Sequence, residues 1–234
     1  MPLVAAYHRP TDLTEAMELL SEPHRIPLAG GTLVNSDRVA STLEAVDLQG
    51  LHLDTVEHFG DRVVLGAMVR LDSVIGVGDE LLVEAARREL PSTLRSLATV
   101  GGTVASGDPD STVLAALLVS ECTVTLADGR TNDLETQLEN PGGLIVGVSF
   151  RIGGSSVLHH TGRTPMDTPI VAAAGRRIDG RTRVALTGVA EHPRLLASVE
   201  SIEELQPPGD FRGSSEYRMH LARILTGRVQ ETLS

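Results

Sequence analysis

The chain has 234 residues, of which 41% are hydrophobic, and this length and composition predict one or two compact globular units. Its formal net charge of -11 argues against a nucleic-acid partner, and because all 20 basic residues are arginine, a Schiff-base lysine is excluded. The single cysteine, Cys122, cannot form an internal disulfide, and no stretch approaches the roughly 20 apolar residues of a membrane span, so we expect a cytoplasmic protein without a membrane segment.

The N-terminal segment has the pattern of an α/β unit. Residues 12–20 place apolar side chains at helical spacing after Thr11, which predicts a short amphipathic helix. Residues 26–29 form an apolar run that leads into the first glycine pair, and residues 45–48 form another. We interpret both runs as buried strands, so a first α/β subdomain is predicted over about 1–55.

A second α/β subdomain is predicted over about 56–154. It contains a helix over 80–88 that stops at Pro91, because proline cannot continue a helix. A continuous apolar run predicts a buried helix over 111–119. The predicted strands of this subdomain are 62–67, 122–126 and 144–148.

The small, polar segment 153–156 is typical of a domain boundary, which we place near residue 154. Beyond it, strands at 170–174 and 183–189 are predicted to form a hairpin around Asp179-Gly180. Helices are predicted at 193–204 and 214–231. The sequence therefore predicts an N-terminal domain over 1–154 and a C-terminal domain over 155–234.

Two glycine pairs occur in the segments Ala29-Gly30-Gly31-Thr32 and Thr99-Val100-Gly101-Gly102-Thr103. Glycine lets the backbone turn with positive φ and approach a ligand closely, so that several N–H groups point into one small volume. Such a nest binds anions. Neither segment fits the dinucleotide fingerprint G-x-G-x-x-G or the P-loop pattern, so the residues alone leave two interpretations open, a phosphate cradle and ordinary turns.

The order of several motifs along the chain resembles one family. The succession starts with Tyr7-His8-Arg9-Pro10 and the first glycine segment, and continues with residues 95–105 around the second. Further likeness lies in residues 108–109, 115–118, 162–167, 184–189 and 211–218. Together these motifs span nearly the whole chain and resemble the FAD-binding (medium) subunits of molybdopterin-dependent dehydrogenases, the family of carbon monoxide dehydrogenase and xanthine dehydrogenase.

The resemblance implies an α+β fold of the vanillyl-alcohol-oxidase type, in which two α/β subdomains hold FAD and a small antiparallel sheet with helices follows. It also implies electron transfer, with electrons taken from an iron–sulfur subunit that a molybdopterin subunit feeds. In the family both glycine loops wrap the pyrophosphate. Carried over to this chain, the cofactor-binding residues are Ala29, Gly30, Gly31, Thr32, Leu33, Val34, Thr99, Gly101, Gly102, Thr103, Ser106 and Asp108.

The chain departs from the family pattern at polar positions. Leu33 and Thr112 stand where the family has aspartate, Ser96 and Thr103 stand where it has asparagine, and segment 130–144 is shorter. Each substitution removes a polar group that could fix the cofactor or its loop, and losing a hydrogen bond to a charged group costs roughly 1.5–3 kcal/mol.

These departures keep two alternatives open. The first is a flavin-poor relative whose cleft binds another organic small molecule and which acts as a non-redox enzyme, a cyclase or isomerase of specialised metabolism. Its acid–base groups would come from Asp108, Asp110 and Asp167. The second alternative is a purely structural subunit of a larger complex.

The histidine pair, the arginine pairs and the serine motifs of the sequence suggest no catalytic residue. His159-His160 lacks the i+4 partner of a helical metal motif, so we predict no metal site and interpret the pair as a surface or strand-end feature. Arg87-Arg88 and Arg176-Arg177 are interpreted as solvated, with contact to an acidic partner as the alternative. No nucleophile context favours a hydrolase.

Overall fold

The computed structural model describes residues 4–33, 42–162 and 167–234. Val34, which the family resemblance assigns to the cofactor, lies outside the described residues, as do residues 163–166 of one family-like motif.

The N-terminal unit is a three-stranded parallel sheet with one helix. Strands β1 (Ala6–His8), β2 (Arg25–Leu28) and β3 (Glu44–Asp47) pair in the order β1-β3-β2. Helix α1 (Leu13–Leu20) begins after Asp12, whose carboxylate accepts a hydrogen bond from the Glu15 N–H. The predicted helix after Thr11 and both predicted strands are confirmed.

The second unit is a five-stranded antiparallel sheet covered by helices. Its strands are β4 (Val56–Phe59), β5 (Arg62–Gly66), β6 (Thr123–Leu126), β7 (Thr131–Asp133) and β8 (Ile145–Arg151), paired in the order β4-β5-β8-β6-β7. Its helices are α2 (Glu80–Glu89), α3 (Ser92–Arg95), α4 (Val100–Ser106), α5 (Thr112–Val119) and α6 (Leu134–Glu139). Helix α2 ends before Pro91 and every residue of α5 is buried, so both predicted helices are confirmed.

The C-terminal unit is a four-stranded antiparallel sheet with a long helix against it. Strands β9 (Ser155–Thr161), β10 (Val171–Ile178), β11 (Arg181–Leu186) and β12 (Arg194–Leu195) pair in the order β12-β11-β10-β9, and helix α7 (Ser215–Leu233) follows. The turn between β10 and β11 has positive φ at Asp179 and Gly180, which confirms the predicted hairpin. None of the helices in the described part of the chain is long and apolar enough to span a bilayer.

The predicted helix over 193–204 is wrong. Residues 194 and 195 form the edge strand β12, and the Leu196 N–H donates to the Val184 carbonyl. A short 3-10 helix over Glu200–Glu204 is the helical part of this segment. The backbone of this segment forms hydrogen bonds with β11 instead of the hydrogen bonds of a helix. This long-range pairing outweighs the local helix propensity.

The hydrophobic core crosses the expected boundary near residue 154. Ala174 of β10 and Ala185 of β11 belong to the same buried cluster as α2, α5 and the five-stranded sheet. A second cluster lies between the C-terminal sheet and α7. The division into 1–154 and 155–234 therefore stays a prediction, because the two parts share packed side chains.

Arg176 corrects the interpretation of the pair Arg176-Arg177 as solvated. Its side chain is 2% exposed, and one terminal nitrogen lies 2.7 Å from each carboxylate oxygen of Asp79. A buried cation has to be paired, and Asp79, the residue that caps α2, is its partner. Arg177 is partly buried and donates to the Leu233 carbonyl.

Candidate functional site

The two glycine segments meet in space. Gly30 follows β2, and a Cβ atom placed on it would lie 1.9 Å from the Leu97 carbonyl oxygen. The first glycine loop, which we define as residues 29–33, therefore touches the segment that leads into α4. This close approach explains why glycine is required at position 30, where the φ angle is not positive.

A cavity of about 270 Å³ lies between the first glycine loop, α4 and the end of α2. Leu33, Glu89, Leu90 and Leu94 belong to its wall. Ten of the twelve residues that the family resemblance assigns to the cofactor line it: Ala29, Gly30, Gly31, Thr32, Leu33, Thr99, Gly102, Thr103, Ser106 and Asp108.

A larger cavity of about 420 Å³ shares Ala29, Gly30 and Thr99 with the first cavity. Its wall combines apolar side chains, including Leu53 and Met68, with polar groups. The two cavities thus meet at the backbone of the first glycine loop. This arrangement suits an elongated ligand whose middle part crosses the glycines.

Gly101 lies away from the smaller cavity and has a packing role. A Cβ atom on it would lie 2.6 Å from the Cβ of Ala67. Gly101 and Gly102 are both in the first turn of α4 and neither has positive φ, so the expectation of a positive-φ loop here is wrong. Of the four glycines, Gly31 has positive φ, at 69°.

The N–H groups at the start of α4 already have acceptors within the protein, which among the two interpretations left open disfavours an anion nest in this segment. The donor–acceptor pairs are Val100 N to Val69 O (2.9 Å), Gly101 N to Ala67 O (2.8 Å), Gly102 N to Thr99 Oγ1 (3.1 Å) and Thr103 N to Thr99 O (2.9 Å). Helix α4 therefore gives the cleft its shape, and its first N–H groups are engaged within the protein.

The first glycine loop is the part of the cleft with open donors. The N–H groups of Gly30, Gly31 and Thr32 have no acceptor among residues 4–33, 42–162 and 167–234. All three residues line the smaller cavity, and Gly31 supplies the positive φ that brings successive N–H groups together. These residues therefore fit an anionic group such as a pyrophosphate.

Most hydroxyl groups of the cleft donate hydrogen bonds to backbone carbonyls of the protein. Thr103 Oγ1 donates to the Thr99 carbonyl over 3.1 Å, and Ser106 Oγ donates to the Thr103 carbonyl over 2.8 Å. Ser96 Oγ likewise donates to the Thr93 carbonyl and does not line either cavity. Ser96 and Thr103, at the positions for which the family resemblance implies asparagine, therefore use their hydroxyl protons within the protein. A ligand could reach only the lone pairs of Thr103.

Two arginine side chains contribute positive charge to the cleft. Arg9 and Arg70 line the larger cavity, and Arg9 lies 3.7 Å from a carboxylate oxygen of Asp47. Arg70 is exposed and has no acidic partner in the described part of the chain. The protein has no lysine, so the positive groups that this cleft could offer an anion are these guanidinium groups and the backbone N–H groups.

Glu89 is a cleft residue that the sequence reasoning missed. It is the last residue of α2, lines the smaller cavity, and accepts a hydrogen bond from the Val113 N–H over 3.0 Å. Thr112 Oγ1 lies 3.1 Å from the same carboxylate oxygen. Burial raises the pKa of Glu89 to about 6. The available signal was an acid at a helix C-terminus, where the helix dipole disfavours negative charge.

Thr112 does not face the cavity. It is fully buried, and its hydroxyl donates to the Ala85 carbonyl over 2.8 Å. The carboxylate of Glu89 caps the N-terminal turn of α5 from α2 instead. A carboxylate is thus present at the turn for which the family resemblance implies an aspartate at position 112.

The three acid–base candidates of the non-redox alternative are not brought together. Asp108 lines the smaller cavity and accepts from the Asp110 N–H over 2.9 Å. Asp110 is ion-paired with Arg212. Asp110 and Asp167 line neither cavity.

The histidine pair lies on β9, where His159 Nε2 is 3.2 Å from Thr232 Oγ1. Among the residues that the structure describes, no three His, Cys, Asp or Glu side chains cluster as metal ligands.

The chain is similar to known proteins over most of its length. Residues 3–140 match the family described as "FAD binding domain in molybdopterin dehydrogenase". The carbon monoxide dehydrogenase medium chain of Afipia carboxidovorans is 27% identical, covering 96% of this chain and 95% of that protein. The protein YgfM of Escherichia coli is 26% identical over 95% of this chain and 94% of its own length.

A solved carbon monoxide dehydrogenase from Hydrogenophaga pseudoflava superposes with a TM-score of 0.86 at 22% sequence identity. The alignment covers 100% of this chain and 98% of that chain. This likeness confirms the expected fold, two mixed α/β units followed by a small antiparallel sheet with helices.

Proposed function

The chain belongs to the family of FAD-binding domains in molybdopterin dehydrogenases, and from this membership we propose that it is the FAD-binding, electron-transfer subunit of a molybdenum-hydroxylase-type oxidoreductase. The family confirms FAD as the expected cofactor. For this chain we propose two further points: which part of the cleft holds FAD, and which partner subunits exchange electrons with it.

The open donors of the first glycine loop carry the proposal. Gly30 lines both cavities, Gly31 and Thr32 line the smaller one, and the N–H groups of these three residues match the pyrophosphate in the middle of FAD. Backbone N–H groups bind phosphate oxygens well because their dipoles are fixed and need little reorganisation. Arg9 and Arg70 add positive charge on the side of the larger cavity. The net charge of -11 is therefore no obstacle to binding a dianion.

The cavity walls on both sides of the loop are suited to the two ends of FAD. Leu33, Leu90 and Leu94 form an apolar wall on one side, and Leu53 and Met68 form one on the other. When bound, FAD accepts and passes on electrons, while the protein binds it, orients it and excludes water. No Phe, Tyr or Trp lines either cavity in the described residues, so aliphatic side chains and backbone would make these contacts.

Partner subunits follow from the same proposal. The relative from Afipia carboxidovorans is by name the medium chain of its dehydrogenase. We expect this chain to accept electrons from an iron–sulfur subunit next to a molybdopterin subunit. One cysteine is too few to hold an iron–sulfur cluster, so the cluster has to lie in a partner. A cytoplasmic location stays a prediction.

Titration of the purified chain with FAD tests the proposal. We expect saturable quenching of flavin fluorescence at one FAD per chain, and a bound flavin whose visible absorption band is lost on reduction and returns on oxidation. Riboflavin, which lacks the pyrophosphate, should bind much more weakly. A chain that stays colourless and does not bind FAD would refute the proposal and favour the flavin-poor alternative.

A further inference from the structure

Glu89 lines the cavity whose glycine loop, in our proposal, holds the pyrophosphate of FAD. It lies at the C-terminal end of α2 and lines the same cavity as Gly30, Gly31 and Thr32. Its Oε2 atom accepts from the Val113 N–H over 3.0 Å, and Thr112 Oγ1 lies 3.1 Å away. The side chain of Ser111, which caps α5, also hydrogen-bonds to Glu89. Glu89 is therefore held at the N-terminus of α5, and it cannot move into solvent without losing these contacts.

The charged groups around Glu89 do not neutralise it. Asp108, which also lies in the cavity wall, carries the same sign of charge and raises the pKa of Glu89 further. On its own helix, Arg87 and Arg88 both lie next to Glu84. From α3, Arg95 donates to the Leu90 carbonyl. The elements that form the rest of the wall, the first glycine loop and α4, contribute no ionisable side chain in the described residues.

A pyrophosphate bound at the first glycine loop would add two negative charges to the cavity that Glu89 lines. A carboxylate buried beside them loses hydration and meets like charges, and both effects favour its neutral form. The neutral acid keeps one carbonyl oxygen for the Val113 N–H and gains an O–H donor. We propose that Glu89 couples FAD binding to the uptake of one proton from solvent, so that the occupied cleft contains this side chain as a neutral acid.

This inference rests on the proposed function and adds a role to a residue outside the glycine loops. The proton moves from solvent to a carboxylate oxygen of Glu89, and no other bond changes. The pKa of about 6 for Glu89 without cofactor agrees with this proposal. At neutral pH the side chain is mostly ionised, so it can take up a proton when FAD binds. The same linkage makes FAD binding stronger as the pH falls.

Measuring the dissociation constant of FAD between pH 5.5 and 8 tests the inference. For the natural chain we expect it to rise with pH above about 6, by up to about tenfold per pH unit, until the pKa of Glu89 in the complex is passed. Glu89→Gln keeps an acceptor for the Val113 N–H and carries no charge, so its affinity should be nearly independent of pH. Glu84→Gln, at another acidic position of α2, should keep the slope of the natural chain.

Proton uptake gives a second readout that needs no variant. Calorimetric titration with FAD at pH 7, in two buffers of different ionisation enthalpy, should show an uptake approaching one proton per FAD in the natural chain. FAD binding with a flat pH profile and no proton uptake would overturn this inference and leave the proposed function intact. An unchanged pH slope in Glu89→Gln would also overturn it, and absence of FAD binding at every pH would overturn both.

Discussion

Arg176 and Asp79 form a buried ion pair that joins the C-terminal sheet to the start of α2. The Nη2 atom of Arg176 lies 2.7 Å from both carboxylate oxygens of Asp79, and Nη1 donates to the Gly153 carbonyl over 2.8 Å. Asp79 also accepts from the Leu82 N–H at the beginning of α2. One pair of residues thus ties together β10, the segment before β9 and helix α2, whose last residue lines the smaller cavity.

Removing one member of this pair should be costly. Arg176→Met leaves the Asp79 carboxylate buried without its cation, and we expect a loss of about 3–5 kcal/mol in the free energy of unfolding, measured by urea denaturation. Arg130→Met removes an exposed partner of Asp128 and should change stability by less than about 1 kcal/mol. A similar, small effect in both variants would mean that the buried pair does not hold the units together.

Gly101→Ala should destabilise the protein through packing. The new methyl group would lie 2.6 Å from the Cβ of Ala67, so α4 and the end of β5 have to move apart, at a cost of about 1–3 kcal/mol. Gly227 also lies in a helix, but nothing is within 4 Å of a Cβ placed there. Gly227→Ala should therefore be neutral or stabilising, and equal thermal unfolding midpoints for the two variants would refute this account of Gly101.

Cys122 should be inert in the folded protein. The residue is buried, and burial raises the pKa of its thiol to about 12, so the reactive thiolate is scarce at neutral pH. A thiol-specific chromogenic reagent should label no cysteine in native protein and one per chain in denaturant. Fast labelling of native protein would show that the α5–β6 region opens readily.

The N-terminal sheet should be sensitive to acid through Glu44. Hydrogen bonds from Arg25 and His8 lower the pKa of this carboxyl to about 2. Its contribution to stability is therefore complete above the ordinary glutamate range near 4.5 and is lost as the pH falls towards 2. Unfolding measured over this range should show the natural chain and Glu44→Gln converging in stability. Glu22→Gln, at an exposed position, is the control variant, and a pH-independent stability difference between Glu44→Gln and the natural chain would contradict the prediction.

Local signals in the sequence predicted much of the fold. Three of these features depend on a few neighbouring residues each: the end of α2 before Pro91, the fully buried helix α5, and the turn at Asp179-Gly180. The segment 193–204 was mispredicted because its edge strand is defined by pairing with β11, a contact between distant parts of the chain. The positions of the cleft glycines were predictable from the motifs, whereas their individual roles were not.

Long-range contacts decide those roles. Gly101 is needed because Ala67 packs against it, and the donors of α4 are engaged by carbonyls from the segment after β5. Arg176 has its partner 97 residues away, and Glu89 reaches the α5 N-terminus 24 residues along the chain. Such pairings have no local sequence signature, so a single sequence indicates which residues are unusual without indicating what they contact.

The affinity of Gly30→Ala for FAD tests the central claim most directly, because the claim is that the first glycine loop holds the pyrophosphate. A Cβ at this position would lie 1.9 Å from the Leu97 carbonyl, so the loop has to shift away from the segment before α4 and its N–H groups with it. Gly142→Ala, where nothing lies within 4 Å of the new Cβ, is the matched control. We predict FAD binding at least about tenfold weaker in Gly30→Ala and unchanged in Gly142→Ala, measured by fluorescence titration. Equal affinity of Gly30→Ala and the natural chain would contradict the account.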